Sequence, residues 1–330
     1  MANNMTPPAT AQDFLDNHGW GGAEILPVAG DASFRRYFRV VSGDRKAILM
    51  DAPPPHEDPR PFIHIARHLK AQDFAAPEIF GEDLDHGLVL LEDFGDHRMR
   101  EHLDHHPEDE DAIYRQTIDL IKALHQKPAA DIAAYDWEQY LREVNLLPQW
   151  YCPAQSLDVD EAGFVDAWQT VLQPVIAAQK SPVTVLRDYH AENIMLLEDD
   201  RLGLLDFQDA LAGHAAYDLV SMLQDARRDV SDDLEEAMLT YYLDGRPADE
   251  AAQFRSHYAI LGAQRNTKII GIFTRLCVRD GKARYLDYLS RMWRLLEKDL
   301  VHPDLAPVTE WYDRNIPANI RSKLIVAPQA

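Results

Sequence analysis

Three polar side chains in the second half of the chain have the types and spacing of a magnesium-dependent catalytic site. Asp188 and Asn193 lie five positions apart in "VLRDYHAENIMLL" (185–197), and Asp206 ends "RLGLLD" thirteen positions after Asn193. Carboxylate and amide oxygens, with water or phosphate completing the shell, are ligands that Mg²⁺ accepts. A carboxylate beside the metal is able to take a proton from an attacking hydroxyl. The pattern predicts Asn193 and Asp206 as metal ligands and Asp188 as a general base.

Two short apolar runs must position these groups. If "IMLL" and "RLGLL" pair as a hairpin across "EDDR", the strand ends lie side by side and Asn193 and Asp206 converge. Taken alone, Asp188 is better interpreted as an ordinary turn residue, because Asp and Asn are common in turns. Only its combination with Asn193, Asp206 and the apolar runs favours chemistry.

The rest of the chain divides into a β-rich part and a larger helical part. From Ile25 to about Asp51, "FRRYFRVV" and "KAILMDA" around "SGD" are typical of a hairpin. After Gly95 the apolar spacing is mainly helical, apart from a strand-like insert. We expect an α+β protein with an N-terminal lobe over 1–93 and a C-terminal lobe over 94–330.

These motifs resemble the catalytic core of the protein-kinase-like phosphotransferases. "RDYHAEN" is similar to their catalytic loop, which supplies an Asp base and an Asn metal ligand, and "LLDFQDA" to their second metal motif. The resemblance is greatest to the aminoglycoside phosphotransferase and choline kinase-like branch, and it covers about residues 24 to 300. Several strings, among them "GDASFRRYFRV", "LLEDFGD" and "QRNTKIIGIFTRL", resemble the bacterial anomeric sugar kinases. Those enzymes phosphorylate N-acetylmuramate and N-acetylglucosamine at C1 during cell-wall recycling.

The resemblance implies a bilobed protein-kinase-like fold, with ATP and Mg²⁺ as cofactors. It implies a phosphate-covering turn whose backbone N–H groups face ATP, and a hinge whose backbone groups bind adenine. The residues implied for the turn are Gly30, Asp31, Ala32 and Ser33, and those for the hinge are Leu91, Glu92 and Asp93.

The acceptor site is less sharply defined by the motifs. N-acetylmuramate carries a lactyl carboxylate, which favours a cation near the acceptor, and sugar hydroxyls favour a carboxylate partner. The residues expected in these roles are Arg228, Arg265 and Lys268 for the carboxylate and Asp225 for the hydroxyls.

Two positions depart from the kinase pattern. That pattern places a Lys at the end of an apolar strand and a partner Glu on the next helix, but "AILM" ends in Met50 and the helix predicted over 62–74 has no Glu. Arg35 or Arg36 of the hairpin is the candidate replacement for this cation, and Arg36 is included among the predicted ATP-binding residues. Arg187 occupies a position where many relatives have glycine, and it could hold either a phosphate or a neighbouring carboxylate.

Other polar residues have simpler interpretations. His102, His105 and His106 could bind a transition metal, but a solvated loop and helix start fits better. His190 is expected to order the catalytic loop by hydrogen bonding rather than to act as a base. Asp209 is expected to cap the next segment rather than contact a second metal.

Composition limits the classes of partner. The 330 residues carry a formal net charge of −22, which disfavours nucleic acid and anionic membranes. Two distant cysteines predict free, buried thiols, and the N-terminus lacks the pattern of a signal peptide, so a cytoplasmic protein is expected. Oligomeric state is not predicted.

The leading hypothesis is therefore an ATP-dependent kinase that phosphorylates the C1 hydroxyl of N-acetylmuramate or N-acetylglucosamine. A kinase of another small alcohol, such as choline, an aminoglycoside or a different sugar, is the alternative within the same fold. A nucleotide-binding regulator with little turnover is the alternative from a different class.

Overall fold

The computed structural model describes residues 6–28 and 34–321 of the chain. The predicted turn from Gly30 to Ser33 lies outside the described residues. The strands are β1 (Glu24–Pro27), β2 (Arg36–Ser42), β3 (Arg45–Asp51), β4 (Ile79–Asp83), β5 (Leu88–Glu92), β6 (Val183–Val185), β7 (Ile194–Leu196), β8 (Leu202–Leu204) and β9 (Leu211–Gly213). The helices are α1 (Ala11–Asn17), α2 (Arg60–Lys70), α3 (Met99–His105), α4 (Glu110–His125), α5 (Trp137–Val144), α6 (Cys152–Ala154), α7 (Glu161–Ala178), α8 (Ala216–Leu223), α9 (Asp232–Leu243), α10 (Ala248–Val278), α11 (Leu289–Asp299), α12 (Ala306–Asn315) and α13 (Ala318–Arg321). The prediction of an α+β fold is confirmed.

The chain forms two compact units. The first joins Met1–Pro107 to Glu192–Ala210, and the second joins Glu108–Ala191 to Leu211–Ala330. These units differ from the predicted lobes, because the stretch after residue 93 and the distant β7–β8 hairpin both belong to the first unit. The boundary of the lobes at 93 stays a prediction.

The first unit is built on an antiparallel sheet with the strand order β1-β2-β3-β5-β4. The predicted β2–β3 hairpin is confirmed, with Tyr37 opposite Met50 and Gly43 in the turn at a φ of 60°. Because side chains alternate between the two faces of a strand, β2 buries every second residue on one face. The buried cluster on this face includes Phe14, Leu15, Trp20, Phe38, Val40, Leu49 and Leu90.

Helix α2 packs a buried apolar stripe that includes Ile65 and Leu69. The prediction of a helix over 62–74 is confirmed in its centre, although the helix begins at Arg60 and ends at Lys70. Pro61 suits the first turn because its missing N–H has no partner there in any case. Asp73 has a φ of 67°, so the helix has ended before it.

The β7–β8 hairpin is joined to the N-terminal part of the first unit by backbone hydrogen bonds. Leu196 donates its N–H to His97 O at 2.8 Å, and Leu204 donates to Ala75 O at the same distance. The predicted hairpin across 198–201 is confirmed, with Ile194 opposite Leu204. This pairing explains why a late segment of the chain folds with the first unit.

The second unit is mainly helical, with a small two-stranded sheet. Strand β6 pairs antiparallel with β9, which places Val183 opposite Gly213. Helix α10 is 31 residues long and buries Gly271 so closely that a Cβ there would lie 2.4 Å from the carbonyl carbon of Leu146. In the part of the chain that the structure describes, no helix has the length and apolar character needed to cross a bilayer. Cys152 and Cys277 are free and buried, as predicted.

Candidate active site

The predicted metal ligands converge within the first unit. Asn193 directly precedes β7 and Asp206 follows β8, and Leu205 donates its N–H to Asn193 O at 3.0 Å. This closes the open end of the hairpin and brings Asn193 Nδ2 to 3.5 Å from Asp206 Oδ2. Asp206 has a φ of 57°, a left-handed conformation that turns its side chain out of the strand. The hairpin geometry thus delivers the convergence that the spacing predicted.

Neighbouring side chains hold Asp206 in place. Gln208 donates Nε2–H to Asp206 Oδ1 at 2.9 Å, and the rings of Phe207 and Phe62 stack with centroids 4.9 Å apart. Arg35 Nη2 lies 3.7 Å from Asp206 Oδ1. An amide and a guanidinium therefore both approach the same carboxylate oxygen, Oδ1 of Asp206.

The donor set fits Mg²⁺. If the side-chain amide of Asn193 is rotated by 180°, its oxygen takes the place of Nδ2. That oxygen then faces the same point as the carboxylate of Asp206, since nitrogen and oxygen occupy equivalent positions in the amide group. Gln208 Oε1 is buried and has no hydrogen-bond partner among the described residues, so an acceptor beside Asp206 is left for a cation or its water. Two protein oxygens with the remaining shell left to water and phosphate are characteristic of Mg²⁺ sites.

The histidine-rich segment does not form a comparable site. The rings of His102 and His106 stack with centroids 4.7 Å apart, and His105 Nδ1 hydrogen-bonds to Glu101 O at 2.7 Å. Across residues 6–28 and 34–321, no group of three or more His, Cys, Asp or Glu side chains is arranged to hold a metal. His102 and His105 lie on helix α3, so this part of the segment is helical rather than the loop that was expected, and the next helix, α4, begins at Glu110.

The predicted ATP-binding side chains of the first unit have structural partners. Arg36 binds the buried carboxylate of Asp51, with its Nε 2.8 Å from Oδ2. Asp93 binds Arg39, with 2.7 Å between Oδ2 and Nε, and accepts a hydrogen bond from the N–H of Gly95. Met50 is fully buried where the kinase pattern has Lys. The carboxylate of Asp93 is thus engaged in structure, and any adenine contact of this segment falls to the backbone.

Leu91 and Glu92 belong to strand β5. Leu91 is buried opposite Ile48, and the N–H of Glu92 donates to Glu78 O at 2.8 Å. The carboxylate of Glu92 accepts from the N–H of Glu78 at 3.1 Å. These contacts fix the strand end, and adenine binding there stays a prediction.

Within the second unit, Asp188 lies in a loop whose backbone is bound by a buried carboxylate, that of Asp218. Asp218 of α8 accepts the N–H groups of Leu186 and Arg187 at 2.7 and 2.8 Å. Burial and these hydrogen bonds act in opposite directions on Asp218, and burial prevails, so its pKa rises to about 7. The hydrogen bonds set the path of the backbone immediately before Asp188.

The charges around Asp188 keep it ionised. Burial by itself would raise the pKa of Asp188, but the positive charges of Lys268, Arg187 and Arg265 help to lower it below its usual range. An ionised carboxylate is the form that accepts a proton. The electrostatics of the second unit therefore suit the predicted role.

Arg187 is held in an unusual conformation by a buried ion pair. Its φ is 69°, a left-handed value that is uncommon outside glycine, and its guanidinium binds the carboxylate of Glu143. Lys268 Nζ lies 3.2 Å from the same carboxylate, and Gln264 and the hydroxyl of Tyr135 also donate to it. Of the two partners considered for Arg187, a phosphate and a neighbouring carboxylate, the structure shows a carboxylate, that of Glu143.

His190 orders the loop, as expected. Its Nε2 lies 3.0 Å from Arg227 Nη1, and burial lowers its pKa, which favours the neutral ring. The next N–H in the loop, that of Ala191, donates to Asp225 at 3.3 Å. Asp225 also accepts from the N–H of Arg227 at 2.7 Å, so its carboxylate supports two backbone segments.

The remaining predicted acceptor residues divide into two groups. Arg228 Nη1 binds Glu110 at 2.7 Å and the guanidinium lies over the ring of Tyr114. Arg265 and Lys268, in contrast, are nearly buried in α10 and act on the charge of Asp188. Arg265 and Lys268 are therefore the better placed candidates, and the acceptor roles of all four predicted residues stay predictions.

Sequence reasoning missed two residues that organise the second unit. Glu143 lies on α5 between the buried Tyr140 and Val144, and Asp218 is fully buried in α8. A carboxylate among the apolar residues of a helix is a signal that was available for both, since such a group must find a buried partner.

Comparison with known proteins agrees with this description. The fold is that of a protein-kinase-like phosphotransferase. Residues 24–253 match the phosphotransferase enzyme family, and the chain belongs to that family. It is an enzyme rather than a nucleotide-binding regulator.

Relatives with assigned names cover most of the chain. An N-acetylmuramate/N-acetylglucosamine kinase from Caulobacter vibrioides is 34% identical over 93% of this chain and 96% of its own length. A protein of the same name from Pseudomonas aeruginosa is 38% identical over 88% and 89%.

Two solved structures illustrate the fold. The choline kinase LicA from Streptococcus pneumoniae superposes with a TM-score of 0.64, at 11% identity, over 89% of this chain and 100% of that one. The ADP-bound aminoglycoside phosphotransferase APH(2'')-Ib gives 0.56 at 14% identity over 83% and 92%. Identities this low establish the fold alone.

Proposed function

We propose that this enzyme transfers the γ-phosphoryl group of ATP to the anomeric C1 hydroxyl of N-acetylmuramate or N-acetylglucosamine, as part of cytoplasmic peptidoglycan recycling. The observation that carries phosphotransfer is the convergence of Asn193 and Asp206 on one point at the end of a hairpin. The names of the relatives from Caulobacter vibrioides and Pseudomonas aeruginosa support the choice of acceptor.

Asp188 has the role of general base in this proposal. The C1 oxygen forms a bond to the γ-phosphorus, the bond from that phosphorus to the β–γ bridging oxygen breaks, and ADP leaves. The C1 hydroxyl proton passes to the carboxylate of Asp188. An anomeric hydroxyl is more acidic than an ordinary alcohol, so a carboxylate with a lowered pKa is a sufficient base.

Asn193 and Asp206 would hold Mg²⁺, which when bound neutralises charge on the phosphates. Gln208 and Phe207 restrict the orientation of Asp206, so the ligand position is set before the nucleotide binds. In the second unit, Asp218 and Asp225 keep the loop around Asp188 in place through its backbone N–H groups.

Lys268 and Arg265 are proposed to favour an anionic acceptor. Both are cations in α10 whose fields reach Asp188, and the lactyl group of N-acetylmuramate carries one negative charge. Lys268 is already bound to Glu143 and Tyr217, so it would act through its charge as well as by direct contact.

A substrate panel tests the proposal. The purified protein, ATP and Mg²⁺ are incubated with N-acetylmuramate, N-acetylglucosamine, choline and an aminoglycoside, and the product is examined by phosphorus NMR. We expect ADP formation with one or both amino sugars and a phosphorus signal coupled to the anomeric proton. Turnover of choline or the aminoglycoside alone would reject the proposed acceptor, and a phosphorus signal at another hydroxyl would reject C1.

A further inference from the structure

Arg35 is a cationic side chain close to Asp206, one of the two predicted metal ligands. The kinase pattern uses a strand Lys with a helix Glu to hold ATP phosphates, but this chain has the fully buried Met50 at the Lys position and no Glu within α2. Arg35, directly before β2, is 9% exposed, and its Nη2 lies 3.7 Å from Asp206 Oδ1. A buried guanidinium thus approaches the carboxylate that is proposed to bind Mg²⁺.

Glu57 forms a second ion pair with this arginine. Its Oε2 lies 3.8 Å from Arg35 Nε, and its Oε1 accepts the N–H of Phe34 at 3.2 Å. The ring of Phe34 stacks with His56 at a centroid distance of 5.3 Å. The loop before α2 therefore contacts residues 34 and 35 through the carboxylate of Glu57 and the stacked rings of His56 and Phe34.

Arg35 and Glu57 line a cavity of about 440 Å³ in the first unit. The other polar groups on its walls belong to His56, Asp58, Gln208 and Asp209. Arg35 is the only cation of Lys or Arg type among the described lining residues, and it faces three carboxylates. An isolated anion would be repelled here, whereas a phosphate that brings a divalent cation would be compensated.

Of the two arginines that could replace the kinase Lys, Arg36 is less suitable than Arg35. Its side chain is 36% exposed and forms an ion pair with Asp51, whose side chain is 2% exposed. Removing a guanidinium from a buried carboxylate would leave that charge uncompensated. Arg36 is therefore needed where it is, and Arg35 is the cation that faces the cavity.

We propose that Arg35, oriented by Glu57, contacts the terminal phosphates of the metal–nucleotide complex and replaces the usual Lys–Glu pair. The inference rests on the proposed function, because it assumes that the enzyme uses a nucleoside triphosphate with a divalent cation. Glu57 acts as a positioning residue, since it contacts Arg35 rather than the phosphate. A guanidinium offers a planar pair of donors to phosphate, which a Lys does not.

Binding measurements separate this inference from the proposed function. Titration calorimetry with the full chain uses Mg²⁺–ATP, Mg²⁺–ADP and adenosine as probes for the wild type, Arg35→Met, Arg35→Lys and Glu57→Gln. Arg67→Met, which removes an exposed cation paired with Glu82, is the matched control. We expect Arg35→Met to weaken Mg²⁺–ATP by roughly 10–100-fold, from the strength of a charge-assisted contact, with adenosine unchanged.

Arg35→Lys should fall between the wild type and Arg35→Met, because charge remains but the planar donors are lost. Glu57→Gln should weaken Mg²⁺–ATP several-fold in the wild-type background and have no further effect when Arg35 is already Met. Such non-additivity is expected of a positioning residue and not of an independent contact.

The outcomes are distinguishable. If the wild type binds no adenine nucleotide, the proposed function fails. If the wild type binds Mg²⁺–ATP and Arg35→Met binds it within two-fold, only the role of Arg35 is overturned. Circular dichroism and the unfolding midpoint report whether Arg35→Met folds, and if it does not, Glu57→Gln decides: a loss restricted to the triphosphate supports the proposal, and unchanged binding overturns it.

Discussion

At the scale of single residues, the ionisation of Asp188 depends on its charged neighbours more than on its exposure. Burial raises its pKa, and the cationic side chains Lys268, Arg187 and Arg265 of the second unit act against that effect. Lys268 makes the largest of these contributions. A general base that is ionised at neutral pH needs no proton loss before each turnover.

The first prediction concerns Asp188 itself. Asp188→Asn removes the proton acceptor while keeping the shape of the side chain, so turnover should fall by about 10²-fold or more. Binding of Mg²⁺–ATP should be retained within a few-fold, as measured by calorimetry. Asp199→Asn, an exposed substitution in the β7–β8 turn, is the control and should leave turnover unchanged. Full activity of Asp188→Asn would show that another group takes the proton.

The second prediction uses Lys268 to test the electrostatics. Lys268→Met removes the main charge that lowers the pKa of Asp188, so that pKa should rise. The group acts as a base only when ionised, and the acid limb of the kcat/KM profile should therefore move to higher pH. Lys268→Arg keeps the charge and should leave the limb where it is. An unshifted limb in Lys268→Met would mean that another group controls it.

At the scale of elements, the catalytic loop is tied to two helices by buried carboxylates. Asp218 of α8 binds the backbone N–H groups before Asp188, and Glu143 of α5 binds the side chain of Arg187. A left-handed non-glycine residue costs on the order of 1 kcal/mol or more. The ion pair with Glu143 offsets that cost, which explains how an arginine occupies this position.

The third prediction follows from the buried Glu143. Burial would raise its pKa, but Lys268 and Arg187 lower it to about 2 from an ordinary value of 4.5. A carboxylate whose pKa is lowered by folding stabilises the protein above its unfolded pKa and loses that contribution as the pH falls. Glu143→Gln should therefore reduce the free energy of unfolding at pH 7, and the difference from wild type should narrow by about 3 kcal/mol between pH 5 and 2.

Urea unfolding at a series of pH values measures this difference. Glu236→Gln, which removes an exposed partner of Arg255, is the control and should change the free energy of unfolding by less than about 1 kcal/mol at any pH. A gap between wild type and Glu143→Gln that stays constant with pH would contradict the prediction.

The fourth prediction compares two hairpin turns of the main sheet. Gly43 and Gly87 have φ values of 60° and 71°, but a Cβ would meet nothing within 4 Å at Gly43 and would lie 2.0 Å from Ala52 O at Gly87. Gly43→Ala should cost about 1 kcal/mol through left-handed strain alone. Gly87→Ala should cost at least about 2 kcal/mol more, because strand β3 must shift. Similar unfolding midpoints in urea for the two variants would contradict this account.

At the scale of the whole molecule, the net charge of −22 acts on every anionic ligand that approaches. Near Asp188, the cations Arg187, Arg265 and Lys268 face Asp188 itself, Glu143 and Asp218, so local charges nearly balance. The association of an anionic ligand is then influenced mainly by the long-range electrostatic field of the net charge. Salt screens this field over about 10 Å at 0.1 M.

The fifth prediction compares two acceptors that differ by one charge. Raising the ionic strength from about 0.01 to 0.2 M should lower the KM of N-acetylmuramate a few-fold, because screening reduces its repulsion. The KM of neutral N-acetylglucosamine should stay constant, with Mg²⁺–ATP saturating in both series. A KM for N-acetylmuramate that rises with salt would show that the cations of α10 dominate over the net charge.

Local patterns were enough to predict much of the first unit. The β2–β3 hairpin, the central turns of α2 and the β7–β8 hairpin are confirmed. The ends of α2 were not predicted correctly, because Pro61 is compatible with a helix start and a left-handed residue such as Asp73 has no unique sequence signal. Strands β6 and β7 flank the catalytic loop, and the pairing of β6 with the distant β9 was not predicted from the sequence.

The sequence by itself determined that Asn193 and Asp206 meet, because both lie at the open end of one short hairpin and strand pairing leaves their positions no freedom. It also determined the family, since the motifs are local strings. Only the tertiary structure decided that Arg35 rather than Arg36 faces Asp206, and that Arg187 is held by Glu143. These contacts join distant parts of the chain, and the partner of a buried charge depends on which elements pack around it.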